Sequence, residues 1–600
     1  MRGNTNNNNN TISFGELAHA IWRFLPKLPQ FVKALRVLSG AKKHHQGSTG
    51  YYLQQAAAQY PERVFLKTHT ATYTYGEFNQ WVNQLAHALN RYGIQRQECV
   101  GLLFHNSAEQ LAWAFAVNKI GAVAGMLNPK QQGDVLTHSI TVLQPKLIVA
   151  ADEFHDVLRP HAALCPQGFT GTAAGDVCLT ELIPNEPCDN PAITAELTLG
   201  ENCFYMLTSG TTGLPKAAAM THLRWYKAGV GFGRMTLNLT EQDTLYSTLP
   251  LCHNTALSIA LSATVLTASC LAVVDRFSAS RFWQEVAHFN ATCFIYVGEL
   301  CRYLLQQPER PEDAQNGIRA MIGNGLRPEL WDEFQQRYQI PAVYELYGAS
   351  EGNAGFVNAF NLKRTVGFSP MTYAIVRFDH DHETPLRDSR GRLQKVKKGE
   401  VGLLLTQVSA KAPFDGYTNN PEANAEKLFQ NVFKAGDCWF NTGDLVRHQG
   451  FRHIAFIDRV GDTFRWKSEN VATTEVEAYV SRFHDVIEAV VYGVKVPNAE
   501  GRAGMVSLVL DQGREFNPQA FYQFIRDKLP DYALPRFIRL RTAHELTSTF
   551  KIMKAQLKKE SFSLSQITDP LYVLIDEQQG YQPLTKTLYQ AIQSGRVSLP

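Results

Sequence analysis

The sequence lacks paired cysteines, internal repeats and a charge of one dominant sign. Its 10 cysteines are scattered, and none form a Cys-x-x-Cys pair or lie beside histidines at zinc-finger spacing. We therefore expect reduced thiols in a cytoplasmic protein rather than a disulfide framework or a structural metal site. The formal net charge of +3 gives no strongly basic field, so we expect no nucleic-acid partner.

The start of the chain lacks the pattern of a secretory signal. Residues 1–10 are polar and rich in asparagine, and no short apolar stretch with a small-residue cleavage site follows them. We predict a disordered tail over residues 1–11, because such a composition cannot bury enough apolar surface to order the chain.

Residues 12–45 have little acidic charge and form a basic amphipathic segment. The apolar positions at helical spacing are Phe14, Leu17, Ile21, Leu25, Leu28, Phe31, Leu35 and Leu38. The basic positions between and after them are Arg23, Lys27, Lys33, Arg36, Lys42 and Lys43. This pattern favours a membrane surface as the partner of residues 12–43, with lysine and arginine facing anionic headgroups. A helix packed on the protein itself, or an arm that binds another protein, stays open as an alternative.

Residues 255–274 lack charge over a length that could span a bilayer. The stretch is interrupted by serine and threonine, and its end resembles a strand. We predict a buried helix followed by a strand rather than a membrane span.

From residue 51 onward, strand and helix patterns alternate, which indicates an α/β fold with mostly parallel sheets. The predicted strands are 100–104, 146–150, 203–207 and 400–407, and the predicted helices between them include 78–92 and 109–120. Residues 436–450 are interpreted as a turn-rich region. After a polar joint near Arg459, we predict strands at 486–494 and 505–511 and a helix at 521–529. These patterns divide the chain into a large N-terminal domain of residues 46–460, with helices flanking its sheets, and a smaller α+β domain of residues 461–600.

The densest local signal is a phosphate-binding pattern directly after the strand predicted at 203–207. It consists of Thr208, Ser209, Gly210, Thr211, Thr212, Gly213 and Lys216. Glycines let the backbone approach an anion, hydroxyls and N–H groups donate to phosphate oxygens, and the lysine adds a point charge. The spacing differs from a Walker A loop, and a flexible surface loop is the alternative. The glycines at 229, 231 and 233 have the wrong spacing for a dinucleotide fingerprint, which we reject.

The phosphate-binding pattern resembles the signature of the adenylate-forming superfamily, and further motifs follow in that superfamily's order. They are Tyr-Gly-Ala-Ser-Glu at 347–351, Asn-Thr-Gly-Asp at 441–444, Asp-Arg at 458–459 and Leu-Thr-Ser-Thr-Phe-Lys at 546–551. The segments 323–328, 347–353, 458–467, 469–477 and 501–505 are similar to the fatty-acid transport protein / very-long-chain acyl-CoA synthetase family. The resemblance covers residues 51–554, and it implies a small β-barrel-like part in the large domain and a mobile C-terminal domain.

The resemblance implies a long- or very-long-chain fatty acid–CoA ligase that uses ATP, Mg²⁺ and CoA through an acyl-adenylate. Coupling to fatty-acid uptake, a location in the cytoplasm at the inner face of a membrane, and a homodimer are further expectations of this kind. The alternatives are a fatty acyl-AMP ligase, a sterol or bile-acid CoA ligase, and a non-enzymatic fatty-acid transport or binding protein.

The same resemblance assigns roles to individual residues. Thr208–Gly213 and Lys216 would hold the β- and γ-phosphates, and Glu351 with Thr208 would bind Mg²⁺. The other nucleotide contacts would be Gly323, Asn324, Gly325, Tyr347, Gly348, Ser350, Asp444 and Arg459. Lys551 would be the catalytic lysine alongside Glu351 and Lys216, and Gly461 and Asp462 the hinge. The second-step face would comprise Trp466, Lys467, Ser468, Glu469 and Asn470.

Some positions depart from the superfamily's usual pattern. Ser468 stands where glycine is common, which puts the CoA path in question, while Ser350 replaces threonine and keeps the hydroxyl. Cys252 replaces an aromatic residue before His253, which matches a motif beside the acyl pocket. We assign His253 a gating or substrate-contact role, because a fatty-acid carboxylate is already ionised at neutral pH and needs no general base.

Overall fold

The computed structural model describes residues 11–179, 183, 186–209, 214–379, 382–467, 469–497, 499, 501–547 and 552–600. Their contacts group the chain into two compact units. The larger unit comprises Ser13–Met371 and Val408–Leu428, and the smaller unit comprises Thr372–Gln407, Phe429–Pro600 and the described part of Met1–Ile12. This grouping differs from the division predicted after residue 460, and the predicted domain boundaries remain predictions.

The first sheet of the larger unit has seven strands and is parallel except at one edge. In spatial order the strands are Val177–Cys178, Gln167–Phe169, Leu147–Ala150, Cys99–Leu103, Val123–Met126, Asn202–Ser209 and Pro215–Thr221. The last two pair antiparallel and form a hairpin. The buried strand patterns predicted at 100–104, 146–150 and 203–207 are confirmed.

The second sheet of the larger unit is parallel through its centre and antiparallel at its ends. Its strands follow the order Thr72–Thr74, Val64–Lys67, Cys270–Val273, Thr244–Ser247, Cys293–Val297, Ala320–Asn324, Ala342–Tyr347, Phe356–Val357 and Gly367–Phe368. The central strands are buried along most of their length, as expected for parallel strands covered on both faces.

Helices cover these sheets, and their starts are encoded locally. The helix Tyr75–Tyr92 begins with a capping box between Thr74 and Glu77, and Ser107 caps the helix Ala108–Lys119. The other α-helices of the larger unit are Phe14–Phe24, Leu28–Gly40, Thr49–Gln59, Gly133–Leu143, His155–Leu158, His222–Ala228, Ser262–Thr267, Phe282–His288, Gly298–Leu305, Pro328–Tyr338 and Pro421–Glu426. Short 3₁₀ turns occupy Leu25–Lys27, Asp152–Phe154, Arg159–His161, Ala192–Glu196 and Pro311–Ala314.

Two π-helices, Gly229–Leu237 and Thr255–Leu261, lie in the larger unit. The rejection of a dinucleotide fingerprint is confirmed, because its glycines belong to the first of these helices. A Cβ added at Gly229 would lie 2.6 Å from the Ser262 oxygen, and one at Gly233 would lie 2.8 Å from the Ala263 Cα. These two glycines therefore serve close helix–helix packing.

The uncharged stretch at 255–274 forms the π-helix Thr255–Leu261, the α-helix Ser262–Thr267 and the strand Cys270–Val273. The prediction of a buried helix followed by a strand is therefore confirmed. Among the described residues, no helix combines the length and the apolar character needed to cross a bilayer.

The smaller unit contains antiparallel strands and an α+β part. The strands Tyr373–Val376, Val401–Gln407, Cys438–Gly450 and His453–Arg459 pair antiparallel in that order. A five-stranded sheet orders Val486–Val494, Ala503–Leu510, Phe537–Arg541, Leu571–Asp576 and Gly580–Pro583, with one parallel pair. Further strands are Phe378–Asp379, Thr384–Pro385, Phe464–Trp466 and Glu469–Val471, and the short strand Leu428–Gln430 begins at the last residue of the larger unit. The α-helices are Thr473–Val480, Pro518–Arg526, Lys554–Glu560 and Lys586–Gln593, and a 3₁₀ turn occupies Asp531–Ala533. The predicted α+β character of the chain's end is confirmed.

The prediction of a turn-rich region at 436–450 is wrong, because Cys438–Gly450 is one long strand. The register with Val401–Gln407 shifts between Leu403 and Leu405, so residues 442–444 form a bulge rather than a chain reversal. Local hydrogen bonds hold this bulge: the Gly443 N–H donates to the Asn441 side chain and the Asp444 N–H donates to the Thr442 hydroxyl. Turn-forming residues here bend a strand without ending it.

Candidate functional site

The predicted phosphate loop connects the two strands of the hairpin Asn202–Ser209 and Pro215–Thr221. Thr208 lies opposite Lys216, and its hydroxyl donates to the Lys216 carbonyl over 3.2 Å. Gly210, Thr211, Thr212, Gly213 and the Ser209 side chain lie outside the described residues. The hairpin therefore fixes both ends of the loop and places Lys216 one residue after its closing strand begins.

A segment that the sequence did not single out runs beside this hairpin. The Ala219 N–H donates to the Gly416 carbonyl over 3.0 Å, and the Thr418 N–H donates to the Ala217 carbonyl over 2.8 Å. Tyr417, between them, is buried and presents its ring to Lys216, with 5.6 Å between the lysine Nζ and the ring centroid. This distance is within the range of a cation–π contact.

Glu351 meets the same tyrosine from the second sheet. The Tyr417 hydroxyl donates to the Glu351 carboxylate over 2.8 Å. Glu351 follows the strand Ala342–Tyr347 in a short irregular segment, and the half-buried Arg224 anchors that segment by donating to the Ser350 carbonyl over 2.7 Å. Burial lowers the pKa of Arg224, while nearby Asp415 and Glu351 favour its charged form. The predicted phosphate lysine and the predicted metal carboxylate are therefore neighbours in the larger unit.

The predicted adenine loop lies at the same end of the second sheet. Gly323 pairs in register with Glu345, so the strands Ala320–Asn324 and Ala342–Tyr347 end at one edge, which brings Gly323–Gly325 beside Tyr347. In parallel α/β sheets, ligands bind at this carboxyl edge. A Cβ at Gly323 would lie 2.1 Å from the Tyr296 carbonyl oxygen, and Gly325 has a φ of +82°, so both positions require glycine.

The buried carboxylate of Glu345 holds the loop Gly323–Gly325 by hydrogen bonds to its backbone. Glu345 accepts from the Gly325 N–H over 3.1 Å, from the Leu326 N–H over 2.8 Å and from the Tyr296 hydroxyl over 2.8 Å. Burial raises the pKa of Glu345 to about 8, and the three donors oppose that rise. The loop's conformation thus depends on a residue that lies two positions before Tyr347.

His253 lies half-buried just before the π-helix Thr255–Leu261, and its carbonyl accepts from the Leu257 N–H. On the same π-helix, the Leu257 carbonyl accepts from the indole N–H of the fully buried Trp225 over 2.9 Å. A cavity of about 440 Å³ lies elsewhere in the larger unit, lined by the helices Leu28–Gly40 and Thr49–Gln59 and by Arg234, and His253 does not line it.

Asp444 and Arg459 pair with each other in the smaller unit. They lie opposite one another on adjacent strands, and the Arg459 Nε is 3.4 Å from an Asp444 carboxylate oxygen. Asp444 is buried, whereas Arg459 is exposed. The two predicted ribose-binding residues are therefore brought together.

The predicted hinge is tied to the helix Lys554–Glu560. Gly461 has a φ of +89°, and the Lys558 ammonium donates to the Gly461 carbonyl over 2.8 Å and to the Asp462 carboxylate. Lys554 lies 2.9 Å from Glu477 and donates to Thr473, whose N–H donates to Asp458. Lys551 lies outside the described residues, a few positions before this helix.

The predicted second-step residues lie on a tight hairpin formed by Phe464–Trp466 and Glu469–Val471. Lys467 and Glu469 are exposed at its turn, whereas Trp466 is 1% exposed and belongs to the core. The buried ring of Trp466 therefore packs in the core and supports the hairpin. A direct contact of this ring with CoA remains a prediction. Ser468 and the Asn470 side chain lie outside the described residues.

Comparison with known proteins identifies the family. The family model of the AMP-binding enzyme matches residues 53–406, and that of the AMP-binding enzyme C-terminal domain matches residues 475–551. The chain belongs to the AMP-binding enzyme family. The predicted resemblance to adenylate-forming acyl-CoA synthetases is thereby confirmed.

Two relatives of this AMP-binding enzyme are named for fatty acids. It is 44% identical to the medium/long-chain-fatty-acid–CoA ligase FadD6 of Mycobacterium tuberculosis, over 98% of each chain. It is 36% identical to the long-chain fatty acid transport protein 6 of Mus musculus, over 90% of this chain and 89% of the relative.

Solved structures share the fold. The anthranilate CoA ligase AuaEII in complex with anthranoyl-AMP has a TM-score of 0.76 and 19% identity, over 88% of this chain and all of the other. The ATP-bound MatB of Rhodopseudomonas palustris has a TM-score of 0.72 and 20% identity, over 86% of this chain and 99% of the other. The predicted α/β fold, with a large N-terminal and a smaller C-terminal domain, is confirmed.

Glu351 and Thr208 suit an ion that arrives with the nucleotide. Among the described residues, no cluster of three or more His, Cys, Asp or Glu side chains could cage a metal. Mg²⁺ keeps several waters and is commonly bound by one or two carboxylates together with substrate phosphates. A single carboxylate and a hydroxyl beside the predicted phosphate loop fit such an ion.

Sequence reasoning missed Tyr417, Arg224 and Glu345. No local pattern marks Tyr417, because its hydrogen-bond partner Glu351 lies 66 positions away in the chain. Arg224 and Glu345 each lie close to a recognised motif. The signal available in the sequence was a charged residue within an apolar strand, for Glu345, or in the helix directly after one, for Arg224.

Proposed function

We propose that this AMP-binding enzyme is a long-chain fatty acid–CoA ligase that works through an acyl-adenylate. The observation that carries the proposal is the meeting of Lys216 and Glu351 at Tyr417, beside a loop rich in glycine and hydroxyls. A cationic, hydroxyl-bearing loop next to a magnesium-type carboxylate suits a nucleoside triphosphate. The fatty-acid substrate is supported by the relatives, which are named medium/long-chain and long-chain.

In the first half-reaction, a carboxylate oxygen of the fatty acid attacks the α-phosphorus of ATP. The new P–O bond forms as the bond between the α-phosphorus and the α,β-bridging oxygen breaks, so pyrophosphate leaves. Thr208–Gly213 and Lys216 would hold the β- and γ-phosphates, and Gly323–Gly325 and Tyr347 would position the adenosine. Mg²⁺, when bound near Glu351 and Thr208, supplies charge neutralisation on the phosphates.

In the second half-reaction, the sulfur of CoA attacks the acyl carbonyl carbon. The C–S bond forms, the bond from the carbonyl carbon to the phosphate oxygen breaks, AMP leaves, and the thiol proton passes to solvent. From the order of the motifs, we assign Asp444 and Arg459 to the ribose and Lys551 to the first half-reaction. The same order assigns Gly461 and Asp462 to a hinge between the two steps.

Product analysis of the purified protein tests this function. With ATP, Mg²⁺, CoA and fatty acids of increasing length, we expect acyl-CoA, AMP and pyrophosphate, with the highest rates for long chains. Acyl-AMP that accumulates without thioester would instead identify an acyl-AMP ligase, and a preference for sterol acids would identify a sterol or bile-acid ligase. Fatty-acid binding without any turnover of ATP would contradict the proposal and leave a transport or binding protein.

We also infer that the N-terminal helices dock on an anionic membrane surface. The helices Phe14–Phe24 and Leu28–Gly40 bury one face, with Phe24 against Phe360 at 5.1 Å between ring centroids. The opposite face exposes large apolar side chains: Phe14, Ile21, Trp22, Leu25, Leu28, Val32 and Leu35. Exposed basic residues flank them, and such a face gains free energy by entering a headgroup region that carries negative charge.

A further inference from the structure

Tyr417 contacts both the predicted phosphate lysine, Lys216, and the predicted metal carboxylate, Glu351. Its hydroxyl donates to Glu351 over 2.8 Å, while its ring faces the Lys216 ammonium at 5.6 Å from the centroid. One side chain thus contacts both of the charges that the proposed reaction needs near the triphosphate.

The backbone around Tyr417 is fixed, so the position of its ring is set before any ligand binds. The Asn424 side chain accepts from the Tyr417 N–H over 2.7 Å and donates to the Tyr417 carbonyl over 2.9 Å. Gly416, just before it, has a φ of +72°, and a Cβ there would lie 2.6 Å from the Asn424 Oδ1. The tyrosine also forms a bridge with Ala218 of the hairpin and is 7% exposed.

A lysine and a glutamate that lie close together tend to pair and to neutralise each other. Among the residues that the structure describes, Lys216 makes no ion pair within 4.0 Å with an acidic group. The aromatic ring occupies the place beside the ammonium, and the phenol hydroxyl occupies one carboxylate oxygen of Glu351. Both charges are therefore held in place without cancelling each other.

We propose that Tyr417 is a positioning residue that keeps the phosphate lysine and the magnesium carboxylate apart and oriented for Mg²⁺–ATP. The O–H bond orients the Glu351 carboxylate and leaves its second oxygen for the metal. The ring face holds the Lys216 ammonium at the rim of the phosphate loop. This role rests on the proposed function in one respect: the proposed function supplies the ligand, a magnesium nucleoside triphosphate.

Two substitutions separate the two contacts. Y417F removes the hydroxyl and keeps the ring, whereas Y417L removes both. Y338F is the matched control, because Tyr338 is also buried and donates from its hydroxyl, but to the backbone carbonyl of Leu304. ATP affinity is measured by calorimetry for each variant, with and without Mg²⁺, and thermal unfolding confirms that each variant is folded.

In the wild-type protein and in Y338F, we expect Mg²⁺ to tighten ATP binding. In Y417F, the affinity without Mg²⁺ should stay within about twofold of wild type, while the tightening by Mg²⁺ should fall by about tenfold, the usual effect of a lost hydrogen bond to a charged group. Y417L should in addition lower the affinity without Mg²⁺ by about threefold, because the cation–π contact is lost. A merely structural role would lower both affinities together.

A double-mutant cycle with E351Q sharpens the test. If the hydroxyl acts through the carboxylate, Y417F should change the Mg²⁺ effect little once Glu351 is already neutral. An unchanged Mg²⁺ effect in Y417F, or a fully additive effect in the double variant, would overturn the proposal. Because the readout is nucleotide binding, wild-type protein that binds Mg²⁺–ATP but forms no acyl-adenylate would contradict the proposed function alone. Wild-type protein that binds no ATP would overturn both.

Discussion

Lys216 shows how a single side chain acquires a role from its setting. It begins the second strand of a hairpin, lies opposite Thr208 and faces an aromatic ring rather than a carboxylate. A lysine held in this way suits the charge of transferring phosphates, because the contact with the ring leaves its N–H groups available to oxygen acceptors. The pairing of the strands Asn202–Ser209 and Pro215–Thr221 sets the position of Lys216.

Lys216→Met should therefore lower the rate of fatty-acid-dependent ATP–pyrophosphate exchange by about a hundredfold, the usual effect of removing one preorganised charge. The thermal unfolding temperature should change little, because Lys216 is only half-buried. Lys146→Met, at an exposed lysine in the same unit, is the control and should keep the wild-type rate. Equal exchange rates in the two variants would remove Lys216 from the site.

The titration of Glu345 couples the loop Gly323–Gly325 to pH. Its folded-state pKa is raised to about 8, above the ordinary glutamate value, so the folded protein holds a proton that the unfolded chain has already released. Between about pH 4.5 and 8, its contribution to the free energy of unfolding therefore falls as the pH rises.

The substitution Glu345→Gln removes this titration and keeps an acceptor oxygen for the Leu326 N–H, but its amide NH₂ group then faces the Gly325 N–H. The loss of that one hydrogen bond lowers stability by an amount that does not depend on pH. Urea unfolding at a series of pH values should show that the wild-type protein loses about 2 kcal/mol or more relative to the variant between pH 5 and 8. Parallel curves for the two proteins would show that Glu345 does not carry a raised pKa.

Among the elements, the paired N-terminal helices have two different faces. Sequence periodicity predicted both the helices and their basic amphipathic character, and the structure confirms the helices. Deleting residues 1–45 is a poor test of membrane docking, because Phe24, Ala20 and Ala34 are buried in the larger unit. Substitution of the exposed face alone is sharper.

Replacing both Phe14 and Trp22 with serine should lower binding to phosphatidylglycerol vesicles by about thirtyfold, which corresponds to about 2 kcal/mol of lost apolar burial. Activity on a dissolved substrate should be retained, because both side chains are more than 70% exposed. Leu164→Ser, at an exposed leucine outside these helices, is the control. Unchanged vesicle flotation in the double variant would mean that these helices are not the anchor.

The strand Cys438–Gly450 is the element where sequence reasoning failed. Asn441, Thr442 and Gly443 have the local chemistry of a turn, and that chemistry is present, but in a bulge flanked by two partner strands. Whether such residues reverse the chain or bend a strand is decided by partners distant in sequence. By contrast, the strands Leu147–Ala150 and Cys99–Leu103 were predictable, because burial on both faces leaves a continuous apolar run.

At the scale of the whole molecule, the sequence predicted the family, the α/β class and the order of the motifs, because each is carried by contiguous residues. It predicted the candidate site only in part. Lys216, Glu351 and Gly323–Gly325 were named from local motifs. In the larger unit, Lys216 and Glu351 both contact Tyr417, and Gly323–Gly325 lie at the end of the strand beside Ala342–Tyr347. Tyr417 was not predictable, since a positioning residue is defined by side chains that meet only after the sheets have formed.

The central claim is that the fatty-acid carboxylate attacks the α-phosphate of ATP before CoA attacks the acyl group. A fatty acid labelled with oxygen-18 in its carboxylate tests this directly, with mass spectrometry of the nucleotide product in the presence of ATP, Mg²⁺ and CoA. One carboxylate oxygen bridges to phosphorus in the acyl-adenylate and leaves with it, so we predict labelled AMP and unlabelled pyrophosphate. Labelled inorganic phosphate with ADP, or AMP without label, would contradict the acyl-adenylate route.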